Sequence, residues 1–247
     1  MARRDHSLPH AELVENIDSV FERVAAWVAG HPQLVLIGLG ALIAIAAAAG
    51  VATAVRGRGE QAAQAAVAAI HDDYLAAMGA TPGALDVPEP ANPEIGESAR
   101  SEFSAKLLAA AEAHDHSVAA VSARLEAAEM LEKNGDAEAA FAARKLAAER
   151  ASRGAGASAI ALSRYAVALE VKGDLEGAAK AFEKAAEIES PAQALALADA
   201  ARCQALLGNR DAALALYARA EKLGVDDVPV HVKQRLTELR ASAPAGP

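Results

Sequence analysis

The rhythm of apolar positions changes three times along the chain. Between residues 10 and 29, Leu13, Ile17, Val20, Phe21, Val24, Trp27 and Val28 recur at helical spacing. This predicts an amphipathic helix within an N-terminal segment, 1–32. Its polar face is acidic, so attraction to anionic lipid is not what would hold it at a membrane, whereas the ring and N–H of Trp27 suit the headgroup zone. From Leu34 to Val55 the alternation stops, and the run carries no charge and almost no polar side chain. At a helical rise of about 1.5 Å per residue it reaches about 33 Å, against a hydrocarbon core of roughly 30 Å. A transmembrane helix is therefore predicted over 33–56. The alternatives are an alanine-rich core helix and a cleaved signal peptide. A signal peptide has a shorter apolar region, roughly 7–15 residues, behind a brief basic start. Here Asp5, Glu12, Glu15, Asp18 and Glu22 come first.

After the apolar run the pattern predicts helices near 59–79, 98–115, 117–133, 136–151, 157–172, 174–189, 192–207, 209–223 and 228–241. Thr81 to Glu97 reads as a linker, because Pro82, Pro88, Pro90 and Pro93 bar a continuous helix. The predicted divisions are thus 57–97 for helix plus linker, 98–241 for a helical domain, and 242–247 for a disordered tail of Ala, Ser, Pro and Gly. Within the helical domain a set of columns repeats. Gly173, Ala178, Phe182 and Ala185 are matched by Gly208, Ala213, Tyr217 and Ala220, and more loosely by Gly135, Ala140, Arg144 and Ala147. An alanine stands seven residues before each glycine, at Ala128, Ala166 and Ala201.

These columns describe paired antiparallel helices at close range. Alanine sits where two backbones approach, an aromatic fills the gap to the next pair, and glycine takes the positive φ that ends the first helix. Asp136, Asp174 and Asn209 follow at once and are placed to cap the second helix. One such unit cannot bury its apolar face alone, so copies stack. The residues resemble the tetratricopeptide repeat (TPR) family, whose helix pair recurs at roughly 34 residues. Leu162, Tyr165, Ala166 and Leu169 match the family's first helix, and Ala178, Phe182 and Ala185 its second. The resemblance covers about 118–223 and implies an all-α fold, a TPR-like helical-hairpin solenoid behind the single transmembrane helix. It also implies a partner-binding groove lined by the first helix of each pair: Leu125, Glu129 and Glu132; Ile160, Ser163, Val167 and Glu170; Ala198, Arg202 and Leu206. Only Arg202 would suit an acidic peptide tail, so an apolar or helical segment of a partner protein is the expected ligand.

Composition narrows the function class. With 53% hydrophobic but only 3% aromatic residues, the chain has the alanine and leucine for helix packing and little that would build a sheet. A net charge of −9 with no basic stripe argues against a nucleic-acid partner. Cys203 is the only cysteine, so no intrachain disulfide forms, and it reads as a small core residue. No catalytic, cofactor or metal constellation is evident, and the chain is not expected to be an enzyme. The His114, Asp115, His116 run reads as a solvated helix end, because residues two apart point to different faces.

The order of parts, a short N-terminal segment, one span and a C-terminal repeat domain, resembles single-span bacterial inner-membrane TPR proteins. That group includes the ancillary subunit of the Sec translocon. Val228 to Leu239 resembles the group's closing helix, with Lys233 ahead of Leu236 and Leu239. The resemblance implies a periplasmic domain acting as an adaptor or chaperone-like module, with the translocon or periplasmic chaperones as partners. The charges beside the span, Arg23 before it and Arg56 and Arg58 after it, mildly favour the opposite orientation. A self-associating scaffold of the cell envelope, a homo-oligomer without clients, is the alternative.

Overall fold

The computed structural model describes residues 29–81, 87–151, 156–223 and 230–241. The expected amphipathic helix, apart from its last residue, lies outside the described residues, as do Pro82, much of the glycine-rich turn at 152–158, and the tail at 242–247. Among the described residues every regular element is α-helical. The fold is all-α. By its contacts the chain divides into two units, Met1–Gly57 and Arg58–Pro247.

Helix α1 runs Pro32–Ala77 without interruption, where two helices, 33–56 and 59–79, were expected. Gly57 and Gly59 do not stop it. Glycine in a helix costs roughly 1 kcal/mol relative to alanine, but it neither removes a backbone donor nor clashes with the preceding turn as proline does. Ile45, Val51 and Val55 of α1 are exposed. Among the described residues no helix is long and apolar enough to cross a membrane. The side chains of 32–44, which include the first half of the apolar run, lie outside that description.

Within Arg58–Pro247, α2 spans Pro93–Ala113, α3 Val118–Lys133, α4 Ala137–Arg150, α5 Gly156–Val171, α6 Leu175–Ala186, α7 Gln193–Leu206, α8 Arg210–Lys222 and α9 Val230–Ala241. Helix α2 begins five residues before the expected start at 98, because Pro93 opens it. The Asn92 side chain accepts from the Glu94 amide at 3.1 Å, and proline at the first helical position removes only an N–H that has no partner there. From α2 to α9 each helix packs on the next, and α3 also touches α5, as α5 touches α7. The last stretch of α1 is anchored here too. Tyr74 and Met78 join Phe103 and Leu107 in one buried cluster, with the Tyr74 and Phe103 rings 5.7 Å apart. Glu60 caps α3 from outside, its carboxylate accepting from Val118 N at 2.8 Å and Ala119 N at 3.1 Å, while Ser117 takes Ala120 N.

The core is mostly alanine, as the columns require. Ala128, Ala140, Ala147, Ala166, Ala178, Ala185, Ala201, Ala213 and Ala220 are all fully buried, with Phe182 and Tyr217 between them. Small side chains let neighbouring helices approach closely, and the two aromatics are buried in one cluster with Ala166, Ala178, Ala185, Ala201 and Ala220. Gly135, Gly173 and Gly208 have φ of 82°, 81° and 81°. In each, the glycine amide donates to the carbonyl three residues back and the next amide to the carbonyl five back, a Schellman turn. Gly79, with φ 78°, closes α1 in the same way, although no repeat column marks it.

Candidate functional site

The residues expected to line a groove lie on α3, α5 and α7, the helices that touch one another across the intervening partner. Leu125 is half-buried, packed with Val121, Ala147 and Ala161, and so joins α3 to its neighbours. Glu129 is exposed, and Glu132 is exposed and ion-paired with Arg144 of α4, whose hydrogen bond holds the Glu132 carboxyl below its ordinary range. On α5, Ile160 and Val167 are exposed, at 53% and 47%, and Ser163 is half-buried. Val171, 81% exposed, extends this stripe by one turn. Its spacing of 7 and then 4 residues from Ile160 was the available signal. On α7, Leu206 is exposed at 56%, while Ala198 is buried.

The structure brings Glu170 and Arg202 together across the α5–α7 seam. Arg202 donates through both terminal nitrogens, Nη1 to Oε1 and Nη2 to Oε2, the latter at 2.9 Å, and Nη2 also reaches Asp199 at 3.2 Å. This fork-on-carboxylate geometry is the strong form of an ion pair. The Arg202 hydrogen bond holds the Glu170 carboxyl below its usual range, and Glu170 in turn raises the Arg202 guanidinium further above its own. With its charge answered twice, Arg202 is poorly placed to clamp an acidic peptide tail. Beside it opens a cavity of about 260 Å³ lined by Ala198, Asp199, Arg202, Leu206, Tyr217, Val232 and Arg235. Ala198 thus contributes wall, and Asp199, Tyr217, Val232 and Arg235 are lining residues that the sequence reading did not mark. Burial pushes the Tyr217 phenol above its ordinary value.

Behind this wall, Cys203 is fully buried, and desolvation pushes its thiol up to about 11, away from the thiolate needed for reactivity. Within the His114–His116 run His116 is exposed, as expected of a solvated helix end, but Asp115 is drawn inward. Asp115 is half-buried and paired with both Arg124 of α3 and Arg150 of α4, tying the end of α2 to the next two helices. Among the described residues no three His, Cys, Asp or Glu side chains gather as metal ligands would.

No protein-family model matches this chain, and no curated protein matches it.

Proposed function

We propose that the chain is a membrane-anchored, TPR-type protein-interaction module, acting as an adaptor or chaperone-like subunit beside the protein-translocation machinery of a bacterial inner membrane. The observation that carries this reading is the contact between alternate helices, α3 on α5 and α5 on α7. Stacked hairpins place the first helix of every pair along one surface, and a surface of that kind is what a repeat solenoid offers an extended or helical partner. The exposed Ile160, Val167, Val171 and Leu206 lie on those helices. An apolar partner segment is the chemistry they favour, with the paired Glu170 and Arg202 as a fixed polar landmark between them. Anchoring by 33–56 and a periplasmic location for the repeat domain rest on the uncharged run and on the order of parts.

The test is in-cell photocrosslinking from Ile160 and Val167 in the full chain, with a reporter active only outside the cytoplasm fused after Pro247. Crosslinks to translocon subunits or periplasmic chaperones, together with an active reporter, are expected. Crosslinks only between copies of the chain would favour the self-associating scaffold. An inactive reporter would remove the periplasmic assignment.

A further inference from the structure

A second cavity lies between α2 and α4, over α3, and shares no residue with the groove positions. At about 540 Å³ it is twice the size of the one beside Arg202 and falls within the roughly 300–1,000 Å³ typical of small-molecule sites. Leu108 of α2 and Ala142 and Leu146 of α4 give it an apolar wall. Its polar lining is built around Arg124, whose side chain is only 3% exposed. Arg124 Nη2 donates to the Ala111 carbonyl at 3.0 Å and to Asp115, but Nη1 has no hydrogen-bond partner. Asp115 does not belong to Arg124 alone, since its other oxygen accepts from Arg150.

A buried guanidinium with unmet donors is costly, and an acceptor brought to it recovers that cost. Two guanidinium groups divide one carboxylate here, so a second carboxylate is the acceptor they bind best, through short charge-assisted bonds. Glu112 on the lining restores overall charge balance. The cavity therefore does not draw in multiply charged anions such as phosphates, and the wall selects for a carbon chain. We propose that this cavity binds an aliphatic monocarboxylate, the carboxylate on Arg124 Nη1 and the chain along Leu108, Ala142 and Leu146. Nη1 is shut off from bulk solvent, so binding includes a swing of the guanidinium toward the cavity that Arg124 lines.

The test is a titration of the full chain with hexanoate, read by saturation-transfer NMR on the hexanoate methyl signal. Saturable binding is expected. Ala142→Leu, at an exposed position, should crowd the apolar wall where the chain lies and weaken binding at least tenfold with the helical circular dichroism unchanged. Arg124→Lys, which keeps the charge and loses the fork, should weaken it to a similar degree. Hexanoate that fails to saturate, binds equally to Ala142→Leu, or binds no more tightly than 1-hexanol would overturn the proposal. So would displacement of hexanoate by N-acetyl-alanyl-leucine at tenfold lower concentration, since the site would then be one for peptide ends. The Ala142→Leu arm and the hexanol control keep the test decisive should Arg124→Lys not fold.

Discussion

The turns at Gly173 and Gly208 have the same backbone and different chemistry. Both glycines have φ 81°, and both close their helix with the same two backbone hydrogen bonds. After the first, Asp174 caps α6 by accepting from the Gly177 amide at 2.8 Å; after the second, Asn209 makes no cap and its amide donates to Gln204 Oε1 at 2.9 Å. The difference lies five residues before the cap position, where Gln204 stands in place of Leu169. A leucine cannot compete for the cap side chain, whereas a glutamine can. The turn at Gly135 follows the first pattern, with Leu131 before it and Asp136 accepting from Ala139 N at 3.1 Å. Glycine conformation and capping are thus independent, and a repeat can lose the second without losing the first.

Five single substitutions and one double change test this comparison, the largest effect first. Phe182→Ala, emptying the fully buried aromatic position of the Gly173 unit, should cost about 3–5 kcal/mol in urea denaturation. Gly173→Ala and Gly208→Ala should each cost about 1–2 kcal/mol, and equally. A methyl at either glycine meets nothing within 4 Å, so the whole penalty is the left-handed backbone. Unequal losses would mean that the turns differ in more than their caps. Asp174→Ala should cost about 1 kcal/mol, while Asn209→Ala should fall within about 0.5 kcal/mol of the parent. The double change Gln204→Leu with Asn209→Asp should gain up to about 1 kcal/mol by supplying the missing cap.

The smallest effect concerns the seam rather than the turns. Because Arg202 lowers the folded-state pKa of Glu170, the pair adds stability above the unfolded carboxylate value of roughly 4.3 and loses it as pH falls through the lower folded value. Both side chains are partly exposed, so the gain stays below about 1 kcal/mol at neutral pH. Glu170→Gln should therefore be less stable than the parent near neutrality, and the gap should close in acid. A constant gap in urea midpoints from neutral pH down to about pH 3 would show that the pair contributes packing and not charge.

The helices were legible because their signals are local. Boundaries from α3 to α9 fall within about three residues of the expected ones, the normal uncertainty of helix ends. The two larger misses were also local. Pro93 opens α2 because Asn92 caps it, and Gly57 and Gly59 stay within α1 because glycine, unlike proline, lets a helix continue. The site was less legible. Ile160, Val167 and Leu206 were placed by the resemblance to the tetratricopeptide repeat, and Glu170 and Arg202 were each marked without their pairing being evident. Tyr217, Val232 and Arg235 join the cavity wall only because α8 packs against α7 and α9 against α8.

What the sequence determined by itself is whatever depends on neighbours a few residues away. That comprises the all-helical content, the glycines at positive φ, the alanine columns and the caps at Asp136 and Asp174, because backbone sterics and short side-chain reach set them. The tertiary structure decided which distant charges meet. Glu60 holds the start of α3 from 58 residues away, and Glu170 meets Arg202 across 32. Such partners come within hydrogen-bond range only once the helices have stacked, and no spacing along the chain encodes the angle at which they do.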